Sequence, residues 1–115
     1  MIPSVDPYLD RHYDRKKYNC FHFARDVWFD LTGVDILPDE EPDLDRKFLK
    51  LSHFKSRVKH PQLVDPCIVI MSREKCESHM GVYLRGNLLH LREPGAVHQP
   101  LELASMGFDI LRYYT

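Results

Sequence analysis

Residues 79–91 have the sequence HMGVYLRGNLLHL, and this stretch decides the fold. The apolar character of His79 to Leu84 and of Leu88 to Leu91 predicts two β-strands. The Arg85-Gly86-Asn87 segment between them predicts a tight turn, which joins the strands into an antiparallel hairpin. The other elements are predicted from the segments before and after this hairpin.

Two histidines belong to the hairpin, and its register determines the face of the sheet from which each side chain projects. A two-residue loop allows two registers, which set His90 opposite either Gly81 or Tyr83. In both registers His79 and His90 have the same parity and project from one face of the sheet. In the first register they are diagonal neighbours, close enough for one ring to orient the other. A three-residue loop would put the two histidines on opposite faces of the sheet unless a bulge restored the parity.

The segments around the hairpin predict helices first and strands afterwards. Asp43 to Phe54 predicts a helix, and Cys67 to Met71 predicts a buried strand. Two further strand candidates follow the hairpin at Val97 to Leu101 and at Phe108 to Tyr113. Helices followed by strands that hairpins connect indicate an α+β fold, with N-terminal helices packed on an antiparallel sheet.

Residues 19–33, NCFHFARDVWFDLTG, predict an amphipathic helix. Asn19 is a favourable N-cap, and Gly33 is a favourable C-terminal stop. The apolar residues repeat with helical spacing and form one stripe. The members of that stripe are Cys20, Phe23, Ala24, Val27, Trp28 and Leu31.

Cys20 would lie in the first turn of this helix, where unsatisfied N–H groups and the helix dipole stabilise a thiolate. It also belongs to the apolar stripe, so it would face the sheet, which would have to supply a base. A nucleophilic cysteine, a histidine base and an orienting residue form a general catalytic arrangement. The alternative is a buried cysteine that only packs, with His79 and His90 as ordinary strand residues.

Length and composition limit the classes of function. The chain has 115 residues, 43% of them hydrophobic, which suits one globular domain. Its 16 Lys and Arg against 17 Asp and Glu give no basic excess for nucleic acid. No apolar run is long enough for a membrane span. The N-terminal residues do not resemble a signal peptide, so we expect synthesis in the cytoplasm without Sec export.

The three cysteines are an odd number, which argues against a disulfide framework. A zinc site is the rival use of these residues, because Cys76-x-x-His79 and Cys20-x-His22 have ligand-like spacings. The partner C-x-x-C is absent, however, and residues 20 and 22 would point apart on a helix. We therefore expect neither a metal nor another cofactor.

Two segments, NCFHFARDVW (19–28) and SHMGVYLRGNLLHLREPGAVHQPL (78–101), resemble the NlpC-type cysteine peptidases. That family is a compact papain-like group, and the branch found in phage tails is the most similar. Its members have an Asp-Cys or Asn-Cys helix start, then a His-Val-Gly-Ile-Tyr-like strand and a Leu-His-Ala-like strand. The resemblance continues through Ile110-Leu111-Arg112-Tyr113-Tyr114 and covers about Tyr18 to the end of the chain.

This resemblance implies a single NlpC-type domain over residues 1–115, with a papain-like fold. Cys20 would be the nucleophile, His79 the general base and His90 the orienting third residue. Family members often place an upstream tyrosine near the oxyanion, for which Tyr8 and Tyr18 are the candidates. The substrate would be an amide bond of a peptidoglycan stem peptide, and no cofactor would be needed.

Some features depart from the family. Phe21-His22 follows the nucleophile where many wall hydrolases have Ser-Gly, and Asp65-Pro66 replaces the usual Gly-Asp before the first core strand. The expected lack of a signal peptide suits delivery by a phage tail or a secretion-type machine, with the protein virion-associated or carried to the periplasm. The rival hypotheses are a non-catalytic phage-tail or secretion-system structural module with this fold, and a thiol acyltransferase.

Overall fold

The computed structural model describes residues 2–36, 54, 57–74 and 78–115. These residues form an α+β structure with a six-stranded antiparallel sheet, which confirms the predicted fold class. The order of the strands across the sheet is β1-β6-β2-β3-β4-β5. In chain order the strands are β1 (Lys59–His60), β2 (Cys67–Ser72), β3 (His79–Leu84), β4 (Asn87–Arg92), β5 (Gly95–Gln99) and β6 (Ile110–Tyr114).

The predicted amphipathic helix is present as α1 (Cys20–Thr32). The Asn19 side chain accepts hydrogen bonds from the N–H groups of Phe21 and His22, and the His22 ring accepts one from the Asn19 N–H. This reciprocal cap satisfies donors that the first turn would otherwise leave unpaired. Gly33 ends the helix with a φ of +79°, a conformation that favours glycine.

The sheet has a packed core on each face. On one face, α1 packs against β3 and β4, and the apolar side chains of its stripe are buried, except that Leu31 is partly exposed. The short helix α2 (Leu101–Ala104) packs against β4 on the other face. Side chains alternate along each strand, so neighbouring residues belong to different cores. Within the described part of the chain, neither helix is long and apolar enough to span a lipid bilayer.

The predicted strands are present, but their ends differ near the C-terminus. The strand predicted at Val97 to Leu101 is wrong at its end, because β5 stops at Gln99 and Leu101 begins α2. Pro100 lies between them, has no N–H for a strand ladder and caps the helix instead. The last strand begins at Ile110 rather than at Phe108.

The helix predicted over Asp43 to Phe54 lies outside the described residues except at its end. Phe54 is described and buried, and its ring lies 5.4 Å from that of Tyr114 in the core on the α1 face. Three short elements of the described residues were not predicted from the sequence. These are the strand β1, the helix α2 and a 3-10 helix at Asp6–Tyr8.

The β3–β4 turn has two residues, Arg85 and Gly86, with φ values of +53° and +81°. Leu84 pairs with Asn87, which is the first of the two registers allowed by the sequence. The Asp65 carboxylate accepts hydrogen bonds from the backbone N–H groups of Arg85 and Gly86, at 3.2 and 3.0 Å. Asp65 therefore holds the turn that sets the register of the hairpin.

We predict that Asp65→Ala lowers the free energy of unfolding by about 1 kcal/mol, since it removes the acceptor for two turn N–H groups. Urea unfolding followed by circular dichroism would measure the change. Asp10→Ala is the matched control, because it removes an exposed carboxylate at the N-terminal end of the chain. An equal effect of both substitutions would contradict the role of Asp65.

Candidate active site

A groove of about 320 Å³ opens beside the start of β3. His79 and His90 lie in its wall, together with Gln99 from β5. The wall also contains Tyr13 from the segment before α1. Its remaining lining residues are Leu91, Arg92, Glu93, Leu103, Ala104, Met106 and Phe108.

Three side chains in the groove form a continuous chain of hydrogen bonds. Nε2 of His79 lies 2.7 Å from Nδ1 of His90. Nε2 of His90 lies 2.8 Å from Oε1 of Gln99. The β4–β5 register sets His90 opposite Val97, so Gln99, two residues further along β5, is its diagonal neighbour on the same face. The prediction that the two histidines are diagonal neighbours on one face is confirmed.

The donors and acceptors in this chain determine where each proton lies. Oε1 of Gln99 can only accept, so Nε2 of His90 carries the hydrogen. A neutral His90 then has its lone pair on Nδ1, which accepts from Nε2–H of His79. A neutral His79 in turn has its lone pair on Nδ1. These hydrogen bonds thus leave Nδ1 of His79 as the nitrogen that can take up a proton.

Burial determines which histidine stays neutral. His90 is 2% exposed, and burial lowers the pKa of its imidazole below the ordinary value of 6.5. The hydrogen bond to Gln99 opposes this shift, and the nearby Arg92 adds to it. Since His90 resists protonation, it remains an acceptor for Nε2–H of His79 in both protonation states of His79.

The surroundings of His79 hold its ring in place. The ring of Phe108 stacks on it, with a centroid distance of 6.1 Å and an interplanar angle of 15°. The His90 ring meets it edge to face at 4.9 Å. These two contacts and the hydrogen bond restrict the rotation of the His79 imidazole.

Cys20 is the first residue of α1 and is fully buried, in the core between that helix and the sheet. Strand alternation puts Met80 and Val82 in the same core, and His79 on the opposite face. His79 is, however, the first residue of β3, and Cys20 is not among the described residues that line the groove. A contact between the thiol and the imidazole would have to be made past the start of this strand.

Neither tyrosine predicted near the oxyanion lines the groove. The Tyr8 hydroxyl bonds to Asp30, and burial with this contact raises the pKa of Tyr8 to about 12. The Tyr18 hydroxyl bonds to Asp26 at 2.8 Å. Tyr13 lines the groove instead, and its buried hydroxyl has no hydrogen-bond partner among the described residues.

Gln99 and Tyr13 were not predicted from the sequence as site residues. Gln99 could have been found from the strand pattern, because a hairpin from β4 to β5 brings a polar residue of β5 beside His90. Tyr13 had no comparable signal. It lies in an irregular lead-in segment, whose path over the groove depends on tertiary packing.

The other cysteines differ from Cys20. Cys67 lies in the core on the α2 face, and burial raises the pKa of its thiol to about 11. Cys76 lies outside the described residues. Within residues 2–36, 54, 57–74 and 78–115, no three His, Cys, Asp or Glu side chains are grouped to hold a metal ion.

A second cavity, of about 430 Å³, lies beside α1. Two of its carboxylates are already paired, Asp35 with Arg25 and Asp26 with Tyr18. The described residues that line it include no cysteine or serine. One histidine, His22, lines this cavity, whereas the groove at His79 contains two histidines joined by a hydrogen bond.

Comparisons of the chain with protein-family profiles, with curated proteins and with solved structures gave no match. The function proposed below therefore depends on the geometry of the groove and on the sequence motifs.

We predict that the titration of His90 makes the folded state less stable at acidic pH. Because its folded-state pKa is lowered, the unfolded chain binds a proton more readily once the pH falls below about 6.5. This contribution to stability is complete above that pH and is lost as the pH falls through the folded-state pKa.

Urea unfolding between about pH 7.5 and about pH 5 would measure this dependence. His90→Asn should reduce the change in the free energy of unfolding across the range. His12→Asn, which removes an exposed histidine, is the control and should leave the change intact. An unaltered pH dependence in His90→Asn would contradict the prediction.

Proposed function

We propose that the protein is a thiol hydrolase that cleaves a peptide amide bond in bacterial peptidoglycan. Cys20 is the proposed nucleophile, His79 the general base and His90 the residue that orients it. The hydrogen-bonded chain of His79, His90 and Gln99 carries the proposal, because its polarity leaves a lone pair on Nδ1 of His79. The position of Cys20 at a helix N-terminus supports the choice of nucleophile.

The proposed reaction has two halves. Nδ1 of His79 takes the proton of the Cys20 thiol, and the thiolate attacks the amide carbon to form a C–S bond. The imidazolium then gives its proton to the departing nitrogen as the C–N bond breaks, which leaves a thioester. His79 next removes a proton from water, which attacks the thioester, and the C–S bond breaks to release a carboxylic acid and the thiol.

Tyr13 is the proposed side-chain donor to the oxygen that becomes negative in each half. Tyr13 lines the groove, and its buried hydroxyl bonds to no described residue, which leaves this donor for a bound substrate. A donor held in place before the reaction stabilises developing charge without reorganisation. In this proposal Tyr13 takes the role that the resemblance suggested for Tyr8 or Tyr18.

The proposal also includes a papain-like fold and delivery of the protein to its substrate by another assembly. Residues 19–28 and 78–101 resemble the phage-tail branch of NlpC-type peptidases, which supports carriage by a phage tail or a secretion-type machine. Proteins of that machine would be partners in addition to the peptidoglycan stem peptide. No cofactor takes part in the proposed reaction.

A second candidate function is a non-catalytic phage-tail or secretion-system structural module. The burial of Cys20 favours it, because a fully buried thiol can serve packing alone. The two functions differ in the reactivity expected of Cys20. A packing cysteine would react slowly and with the pH profile of an ordinary buried thiol.

We predict that iodoacetamide modifies Cys20 at about pH 6, well before Cys67. The raised pKa of Cys67, about 11, makes that buried thiol an internal reference within the same molecule. Mass spectrometry of proteolytic peptides would give the two rates. Equal, slow modification of both would favour the structural module.

The protein without iodoacetamide treatment should release peptides with new amino groups from purified peptidoglycan. Cys20→Ala and His79→Ala should each reduce this release to background, because members of one catalytic unit are not additive.

Fused to a periplasmic export signal, the unmodified chain should lyse the host, and exported Cys20→Ala should not. Benign growth with both exported proteins folded would count against the hydrolase.

We also predict that Gln99→Met lowers kcat by about 10- to 100-fold, the loss typical when the hydrogen-bond partner that orients a metal-bound histidine is removed. Methionine has a similar length but no strong acceptor for Nε2–H of His90. Gln99→Glu keeps an acceptor and should restore most of the activity. Equal losses in both variants, at equal thermal stability, would argue that Gln99 only packs.

A further inference from the structure

Tyr13 lies between the groove and the core on the α1 face. It packs against that core, which contains Cys20, and it also lines the groove at His79. Its buried hydroxyl bonds to no described residue. Within the described structure, no hydrogen bond of its own directs this hydroxyl, so its position depends on how the neighbouring backbone is held.

The backbone on the C-terminal side of Tyr13 is fastened at Asp14. The Asp14 N–H donates to the carbonyl of Tyr18, and the Tyr18 N–H donates to the carbonyl of Asp14, each at 2.9 Å. The Asp14 carboxylate also accepts from two N–H groups inside this turn, each at 3.0 Å. Residues 14–18 thus form a closed turn that ends one residue before Asn19, the cap of α1.

On the N-terminal side of Tyr13, the side chain of Arg11 reaches α1. Its guanidinium donates to the hydroxyl of Tyr18 and, over 3.3 Å, to the carboxylate of Asp26 in α1. The Tyr18 hydroxyl donates to the same carboxylate at 2.8 Å, which closes a triangle of polar contacts. Because Arg11 is only two residues from Tyr13, these contacts tie the backbone beside the groove to the helix.

Two aromatic rings support the same guanidinium. It lies 5.1 Å from the centroid of the Tyr8 ring and 5.7 Å from that of the Tyr18 ring, distances at which a cation is attracted to a π face. The Tyr8 hydroxyl is itself bonded to Asp30 of α1. An isolated ion pair at the surface contributes little, whereas here two rings, a hydroxyl and a carboxylate meet one cation. Tyr8 and Tyr18 thus hold Arg11.

We infer that Arg11 is a positioning residue, which keeps the Tyr13 hydroxyl at the groove through its contacts with Tyr18 and Asp26. The inference rests on the proposed function for the role of Tyr13 as the donor to the substrate oxygen. Arg11 is not among the described residues that line the groove. Its effect on catalysis is therefore made through Tyr13.

A double-mutant cycle on the hydrolysis of soluble peptidoglycan fragments tests this coupling. Tyr13→Phe should lower kcat by about 100-fold, the scale for the loss of one oxyanion donor. Arg11→Ala should lower kcat by about 10-fold with little change in KM, because it misplaces the donor and leaves the groove lining intact. The double variant should lose no more than Tyr13→Phe alone. A loss equal to the product of the two single losses would overturn the inference.

Lys16→Ala is the matched control, because it removes an exposed cation from the same segment. It should leave kcat unchanged, and an equal loss in Lys16→Ala and Arg11→Ala would contradict the inference. Arg11→Lys should recover part of the activity, since an ammonium can still donate to Asp26 but lacks the planar fork of arginine. If Arg11→Ala does not fold, Asp26→Asn tests the same contact from the α1 side and should also lower kcat.

A spectroscopic measurement separates this inference from the proposed reaction. In protein with isotope-labelled tyrosine rings, Tyr13→Phe identifies the nuclear magnetic resonance signal of Tyr13. Arg11→Ala should shift or broaden that signal, and Lys16→Ala should leave it in place. If this occurs but the unmodified chain does not cleave peptidoglycan, Arg11 still positions Tyr13 and the proposed hydrolase fails. If the unmodified chain cleaves and Arg11→Ala changes neither the signal nor kcat, the inference fails and the hydrolase stands.

Discussion

The site depends on the two-residue turn at Arg85 and Gly86, because this turn fixes the register of β3 and β4. Side chains alternate along a strand, so a shift by one residue would move His90 to the α1 face and separate it from His79. Gly81 completes the constraint. A Cβ atom there would lie 2.9 Å from Cγ of Leu88 and 3.0 Å from Cβ of His90, so the missing side chain lets the His90 ring stay beside His79.

Electrostatics then assigns different roles to two identical side chains. Two imidazoles with nitrogens 2.7 Å apart resist simultaneous protonation, since like charges at that distance repel. Burial lowers the pKa of His90, which favours the neutral form of that ring. The hydrogen bond to Gln99 fixes the tautomer of the neutral ring. Position in the sheet therefore separates a candidate base from its orienting partner.

Much of this arrangement could be predicted from the sequence, and the parts that could not have physical reasons. The period of α1, its Asn19 cap and the parity of His79 and His90 follow from local rules of helices and strands, and the structure confirms them. Gln99 lay inside the strand predicted at Val97 to Leu101, and it was missed because the register of that strand against β4 was not assigned. Tyr13 was missed because irregular segments take their path from tertiary packing, which no periodicity encodes.

The sheet also divides the proposed chemistry between two layers. Cys20 belongs to the core on the α1 face, whereas His79 and His90 project from the other face. In the proposed reaction the two layers would exchange a proton where β3 begins, and Tyr13 and Phe108 line the groove from different parts of the chain. A peptide that reached the thiol would then lie across the start of β3. In that position, the lead-in segment and the residues after α2, rather than the body of α1, would determine which amides fit.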